Sequence, residues 1–141
     1  MGSLLSTMTS EMPSTSRIRL QITAADKVLI TGYPKSGKTG LSTSLARPVI
    51  HLDGFLERYG GEKLAAEQAT KYLKTQAEWV AEGCMGYRML NLGLEPNLIV
   101  LCLNIFGHGP WEKLIKGQDT LWDRYIGDSV PAVPTIIHYD G

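Results

Sequence analysis

Residues 27–39 read Lys27-Val28-Leu29-Ile30-Thr31-Gly32-Tyr33-Pro34-Lys35-Ser36-Gly37-Lys38-Thr39, an apolar run followed by a glycine-rich loop. The last eight residues fit the pattern G-x-x-x-x-G-K-[ST], in which backbone N–H groups cradle phosphate oxygens. Gly32 and Gly37 allow the turning and close approach that a Cβ atom would obstruct. The apolar run predicts a strand before the loop, and residues 40–46 predict a helix after it. The stretch therefore predicts a strand, a phosphate-binding loop and a helix in succession.

This loop predicts a nucleoside triphosphate site that contains Mg²⁺. Lys38 is expected to place its ammonium group on the β- and γ-phosphates, and the Thr39 hydroxyl to join the Mg²⁺ shell. The helix dipole is expected to favour the same phosphates. We therefore expect ATP and Mg²⁺ as cofactors, with the nucleotide bound by Gly32, Tyr33, Pro34, Lys35, Ser36, Gly37, Lys38, Thr39 and Gly40. The alternative is a glycine-rich surface turn beside a basic cluster.

The length and charge of the chain indicate how many domains it has and which kind of partner is disfavoured. Its 141 residues predict one domain, and Lys+Arg and Asp+Glu both count 14, which argues against a broad basic surface for nucleic acid. Residues 1–16 are rich in Ser and Thr and predict a flexible leader, followed by a single nucleotide-binding domain over residues 17–141.

The cysteines and the apolar runs indicate the compartment. Cys84 and Cys102 lie in apolar contexts without metal-ligand spacing, so we expect reduced thiols and a cytoplasmic location. The longest apolar run, residues 98–103, is far shorter than the roughly twenty residues of a membrane helix. Neither a membrane partner nor a secretory signal is expected.

The remaining chain alternates between strand-like and helix-like stretches. Residues 17–23 alternate polar and apolar side chains and predict a short edge strand. Core strands are predicted at residues 27–31, 49–53, 79–81, 98–105 and 135–139. Helices are predicted at residues 40–46, 62–76, 85–92, 111–116 and 120–126, with Gly117 separating the last two. This alternation predicts a parallel sheet with helices on both faces.

Acidic residues follow two of the predicted strands. Ligands of such sheets bind beyond the carboxyl ends of the strands, so Asp53 and Glu82 are expected in the same crevice as Lys38. One carboxylate would hold Mg²⁺ while the other takes the proton of an acceptor hydroxyl. We assign Asp53 to both roles and Glu82 to the metal, which Thr39 also ligates. The structural alternatives are a turn aspartate and a surface glutamate.

Several basic side chains are candidates for binding an anionic substrate. Arg88 follows the turn after Glu82 and is expected to bind an anionic group, with an exposed helix arginine as the alternative. A lid that closes over the phosphates would carry Lys113, Lys116 and Arg124, for each of which the alternative is a solvated helical face.

Together these features resemble the small P-loop kinases, the group of adenylate, shikimate and gluconate kinases and of short kinase-like proteins of phages and bacteria. The resemblance covers residues 27–139 and rests on residues 32–39, 51–55, 80–83, Arg88 and 116–122. It implies a three-layer P-loop NTPase fold with a five-stranded parallel sheet in the order 2-3-1-4-5. It also implies an ATP·Mg²⁺ donor and a small acceptor.

The same resemblance implies that Asp53 contacts metal or acceptor and that Glu82, Gly83 and Arg88 line the acceptor pocket. Two features depart from the group. Arg124 is the lone arginine of the lid stretch, and the printed sequence ends directly after the predicted fifth strand. A sheet face left exposed in this way would favour self-association or a partner.

Three functions are compatible with these observations. The first is a small-molecule kinase that moves the ATP γ-phosphoryl group to a hydroxyl or phosphate acceptor, with Lys38, Asp53 and Arg88 as catalytic residues. The alternative is an NTP-binding module or slow NTPase that regulates a protein partner. A polynucleotide 5′-kinase is disfavoured because the chain has no net charge and no basic run.

Overall fold

The computed structural model describes residues 15–33, 38–103, 112–128 and 134–139. The helices are α1 (Thr15–Ala24), α2 (Lys38–Thr43), α3 (Asp53–Tyr59), α4 (Glu62–Lys74), α5 (Gly86–Asn91) and α6 (Glu112–Asp128). The strands are β1 (Lys27–Gly32), β2 (Ile50–His51), β3 (Trp79–Glu82), β4 (Leu98–Cys102) and β5 (Thr135–Tyr139).

The strands form one five-stranded parallel sheet in the order β2-β3-β1-β4-β5. Val28 of the central strand β1 pairs with Val80 on one side and with Leu98 on the other. Every pairing is parallel, so the carboxyl ends of all five strands lie along one edge. The structure thus confirms the predicted parallel α/β sheet and its strand order.

Two hydrophobic clusters cover the two faces of the sheet. Alternate strand residues such as Leu29 and Ile99 pack with α4, α5 and α6, while Val28 and Val100 pack with α1 and α2. Burial on both faces explains why the central strands read as continuous apolar runs rather than as an alternation.

Residues 17–23 were predicted as an edge strand, and this prediction is wrong because they belong to α1. Ile18 and Ile22 are fully buried, whereas Leu20 between them is 72% exposed. Positions four apart share one face of a helix, while all three would share one face of a strand. Packing of the two isoleucines against the sheet therefore selects the helix.

Other boundaries also differ from the prediction. The second strand is only Ile50–His51, and Asp53 begins α3 instead of ending the strand. Helix α6 runs without a break through Gly117, where two helices were predicted. One glycine inside a helix costs only about 1 kcal/mol, which flanking contacts offset. Strand β4 ends at Cys102, and residues 104 and 105 lie outside the described ranges.

The remaining observations concern the predicted leader and the question of a membrane-spanning helix. Of the predicted leader, residues 15 and 16 begin α1, and residues 1–14 lie outside the part that the structure describes. Within the described ranges, no helix combines the length and the apolar composition that crossing a membrane requires.

Candidate functional site

Strand β1 ends at Gly32 in close contact with the backbone of β4. The φ angle of Gly32 is +154°, and a Cβ atom there would lie 2.0 Å from the carbonyl oxygen of Cys102. The next residue, Tyr33, donates its backbone N–H to that same oxygen at 2.9 Å. Glycine is thus required where the chain leaves the sheet. The close approach that Gly32 allows is to the backbone of the neighbouring strand β4. Residues Pro34, Lys35, Ser36 and Gly37 of the predicted loop lie outside the described residues.

Lys38 begins α2 and is buried, with 7% of its surface exposed. Its ammonium group donates a 2.5 Å hydrogen bond to the backbone carbonyl oxygen of Tyr33. Burial raises the pKa of the Cys102 thiol to about 12, and the charge of Lys38 opposes this rise. The ammonium group therefore lies near the carboxyl ends of β1 and β4, at the edge predicted from the sequence.

Two further residues of the predicted loop, Thr39 and Gly40, lie in α2. The backbone of Thr39 belongs to α2, whereas its side chain is outside the described part of the chain. Gly40 is exposed in the same helix, with open space where a Cβ atom would be.

Glu82 ends β3 and is buried, with 5% of its surface exposed. Its Oε1 atom lies 2.7 Å from Nδ1 of His51, the residue that pairs with it across β2 and β3. The negative charge of Glu82 contributes to the raised pKa of Cys102, the thiol on which Lys38 acts in the opposite direction. Glu82 and Lys38 thus share the carboxyl edge, as predicted, but Glu82 has a histidine partner that the sequence did not indicate.

Asp53 follows β2 and, unlike Lys38 and Glu82, is exposed to solvent. It is exposed in the first turn of α3, where a carboxylate is favoured by the helix dipole. Within the described ranges, no three side chains from His, Cys, Asp and Glu converge as metal ligands would. The structure therefore places Asp53 after β2, and the described residues hold no group of three such ligands at this edge.

The turn after β3 packs tightly on β1. Thr31 donates its hydroxyl to the carbonyl oxygen of Gly83 at 2.8 Å. The φ angle of Gly83 is +156°, and a Cβ atom on Gly86 would lie 2.8 Å from the side chain of Thr31. Small residues here fix the path of the chain into α5, the helix that carries Arg88.

Arg88 lines a cavity between α5 and α6. The cavity has a volume of about 470 Å³ and is lined by Glu62, Cys84, Arg88, Lys113, Leu114, Gly117, Gln118, Thr120, Leu121 and Arg124. Within it, Nε of Arg88 donates to Oε2 of Glu62 at 3.3 Å. Of the predicted lid cations, Lys113 and Arg124 line this cavity, whereas Lys116 lies elsewhere on α6.

Sequence reasoning missed two polar residues that join α6 to the end of β1. Gln118 is buried, and its Nε2 atom donates to the carbonyl oxygen of Gly32 at 3.2 Å and more weakly to that of Cys84 at 3.5 Å. The neighbouring Asp119 accepts a 2.7 Å hydrogen bond from the hydroxyl of Tyr33. The adjacent pair Gln118-Asp119 was visible only as two polar residues in a helical stretch, so no local signal identified these contacts.

Comparison of the chain with protein-family models, with curated proteins and with solved structures gave no significant match.

Proposed function

We propose that this chain is an ATP-dependent phosphotransferase with a P-loop NTPase fold, which moves the γ-phosphoryl group of ATP to a small acceptor. One observation carries the proposal. The lysine of the G-x-x-x-x-G-K-[ST] stretch, Lys38, is buried at the carboxyl edge of a parallel sheet ordered β2-β3-β1-β4-β5. Ligands of such sheets bind at this edge, and a buried ammonium group favours anionic ligands.

The residues at this edge fit ATP and Mg²⁺ by their chemistry. The ammonium group of Lys38 donates to an uncharged carbonyl oxygen of Tyr33, and a phosphate oxygen is the stronger acceptor for the same donor. Glu82, Asp53 and the Thr39 hydroxyl supply the oxygen atoms that Mg²⁺ prefers, and these residues would hold the ion. When bound, the ion neutralises charge that develops on the transferred phosphoryl group.

The proposed reaction exchanges one P–O bond for another and, with a hydroxyl acceptor, moves one proton. A hydroxyl or phosphate oxygen of the acceptor bonds to the γ-phosphorus, and the bond from that phosphorus to the bridging oxygen of ADP breaks. Asp53, which is exposed to solvent, takes the proton of a hydroxyl acceptor. Lys38 steadies the β- and γ-phosphates, and Arg88 binds an anionic group of the acceptor. The products are ADP and the phosphorylated acceptor.

A second function, an NTP-binding switch or slow NTPase that regulates a protein partner, is favoured by a different observation. Tyr33 holds Lys38 through its backbone carbonyl and Asp119 of α6 through its hydroxyl. A nucleotide that draws Lys38 away would release one of these two links and so alter the position of α6. The switch predicts different hydrogen exchange in α6 with ADP and with a nonhydrolysable ATP analogue, while the kinase requires transfer to an acceptor.

The test of the first proposal is nucleotide binding followed by transfer. We expect Lys38→Met to weaken ATP binding, measured by calorimetry with Mg²⁺, by about 10-fold or more, because a charged hydrogen-bond donor is lost. The matched control is Lys71→Met, on the exposed face of α4, which should bind as the native chain does.

Transfer is then measured with γ-labelled ATP and a panel of small hydroxylated and phosphorylated acceptors. Equal ATP binding by the native chain and a folded Lys38→Met variant would overturn the nucleotide assignment. Nucleotide binding without transfer to any acceptor would overturn the kinase in favour of the switch.

A further inference from the structure

We infer that His51 is a positioning residue, which holds the carboxylate of Glu82 by one oxygen and so presents the other oxygen to the Mg²⁺ of a bound nucleotide. This role rests on the proposed nucleotide site, which the kinase and the switch share, and it does not require phosphoryl transfer. Its basis is the place of the His51–Glu82 pair in the sheet and the oxygen atom that their contact engages.

Strand pairing fixes the two residues opposite each other. His51 ends β2 and pairs with Glu82, which ends β3. The backbone N–H of Leu52 donates to the carbonyl oxygen of Glu82 at 2.9 Å, so the pairing extends past the end of β2. Nδ1 of His51 lies 2.7 Å from Oε1 of Glu82, a short distance of the kind found in charge-assisted hydrogen bonds. The backbone therefore holds the imidazole against one particular oxygen.

The direction of this hydrogen bond follows from the chemistry of its two groups. An ionised carboxylate can only accept, so Nδ1 of His51 carries the hydrogen atom and donates it. Burying a carboxylate is costly unless it is hydrogen-bonded, and His51 provides that bond to Glu82. Because the contact engages Oε1, the oxygen offered to a cation is Oε2.

The carboxylate of Glu82 is not sealed from solvent. Its side chain keeps 6% of its surface exposed, at the carboxyl end of a strand. Two side-chain atoms of the described residues are buried without a hydrogen-bond partner, and they belong to Thr70 and Gln118. Oε2 of Glu82 is therefore not an atom that is buried without a partner, and a cation can meet it from the carboxyl edge.

The sheet directs Glu82 towards the side on which Lys38 lies. Alternate residues of a strand share a face, and Val80, two residues before Glu82, packs in the same cluster as Leu41 of α2. Helix α2 begins at Lys38. Burial raises the pKa of the Cys102 thiol, on which the charge of Lys38 acts downward and that of Glu82 upward, so both charges lie near this thiol. Glu82 thus faces the side from which Lys38 would hold phosphates, and Mg²⁺ in such sites is bound by one or two carboxylates together with phosphate oxygens.

A fixed carboxylate binds an ion at a lower entropic cost, because a free carboxylate loses rotational freedom when it becomes a ligand. Partners that orient a metal ligand typically change metal affinity by about 10- to 100-fold. A histidine with a purely structural role would only satisfy the buried carboxylate. Its loss would lower stability without changing the preference of the chain for nucleotide with Mg²⁺.

The experiment measures the affinity of the full chain for a nonhydrolysable ATP analogue by calorimetry, once with excess Mg²⁺ and once with EDTA. The dissociation constant in EDTA divided by that in Mg²⁺ gives the Mg²⁺ factor of each variant. His51→Leu removes the donor and should lower the Mg²⁺ factor by about 10-fold, while the affinity in EDTA stays unchanged.

Two further variants assign the effect to the hydrogen bond. His51→Asn keeps an N–H group at the position of Nδ1 and should retain the Mg²⁺ factor. His138→Leu is the control, because His138 is exposed on β5, at the opposite edge of the sheet from β2. Thermal unfolding of each variant checks folding. If His51→Leu is unfolded, His51→Gln replaces it, since its N–H group lies one bond further from the backbone and its Mg²⁺ factor should fall below that of His51→Asn.

Three results would overturn the role of His51 and leave the nucleotide site intact. They are an equal Mg²⁺ factor in the native chain and the folded His51→Leu variant, an equal loss of affinity with Mg²⁺ and with EDTA, and a Mg²⁺ factor that His51→Asn does not retain. A native chain that binds no analogue under either condition would instead overturn the proposed function, and the role of His51 with it.

Discussion

The hydroxyl of Tyr33 donates a 2.7 Å hydrogen bond to Oδ1 of Asp119, a residue 86 positions further along the chain. The backbone carbonyl of the same tyrosine accepts the ammonium group of Lys38. Tyr33 therefore joins the candidate phosphate-binding lysine to α6, the helix that lines the cavity.

Tyr33→Phe should remove the bond to Asp119 and lower the free energy of unfolding by about 1 kcal/mol at pH 8. Burial, together with Asp119, raises the pKa of Tyr33 from its ordinary value of 10.0 to about 12. This contribution is complete below pH 10 and is lost as the pH rises towards 12, since the folded state favours the neutral phenol. Urea unfolding is measured at pH 8, 10 and 11. The difference in free energy of unfolding between Tyr33→Phe and the native chain should become smaller as the pH rises.

Tyr72→Phe is the control for this measurement, because Tyr72 is 46% exposed and should change stability by less than about 0.5 kcal/mol. A Tyr33→Phe chain as stable as the native one at pH 8 would contradict the prediction.

Gly32→Ala should destabilise the fold by about 3 kcal/mol, because the added methyl group overlaps the backbone of the neighbouring strand β4. That backbone cannot move without breaking the pairing of β1 with β4. The overlap is with the carbonyl oxygen of Cys102, 2.0 Å from the built Cβ position. Gly40→Ala is the control, since nothing lies within 4 Å of its Cβ position. Chemical unfolding of both variants tests the prediction, and equal stabilities would refute it.

Gly117→Ala should stabilise the protein by about 0.5 to 1 kcal/mol, the gain for glycine to alanine inside a helix. Gly117 lies within the unbroken α6, and its Cβ position has open space. If two helices met at Gly117 instead, with a backbone conformation that only glycine adopts readily, alanine would destabilise the protein. The change in the urea midpoint distinguishes the two cases by its sign.

The two cysteines should react with a thiol reagent at very different rates in the folded protein. Cys102 is fully buried, and burial raises its pKa to about 12, whereas Cys84 is half-buried and lines the cavity. At pH 8 we expect Cys102 to react more than about 100-fold more slowly than Cys84, since the thiolate is the reactive form. Ellman's reagent applied to Cys84→Ser and Cys102→Ser variants measures each rate. Equal rates before denaturation would be the contrary result.

Much of the sheet was predictable from local patterns. The apolar runs of β1, β3 and β4 marked these strands because burial on both faces favours apolar side chains at successive positions. The edge strand β5 is only partly buried, and its β-branched residues marked it. The strand order followed from the resemblance to a family and not from the residues themselves. Residues 17–23 were misread because the spacing of Ile18 and Ile22 suits a strand and a helix equally, and only contact with the sheet decides between them.

The candidate site was predictable in part. The sequence placed Lys38 and Glu82 at the carboxyl edge, because strand ends follow from strand positions. It did not indicate that His51 pairs with Glu82, since that contact depends on the register of β2 against β3. Nor did it place Arg88, Lys113 and Arg124 around one cavity, which depends on how α6 packs against α5.

Local sequence was therefore sufficient for a phosphate-loop motif, a parallel sheet and the acidic and basic residues at its edge, because apolar runs and glycine positions act on their own neighbours. Only the tertiary structure decided the contacts of Tyr33 with Asp119 and of Gln118 with Gly32, each spanning 86 residues. Such contacts depend on the order of the strands and the packing of α6, which bring together residues that share no local pattern.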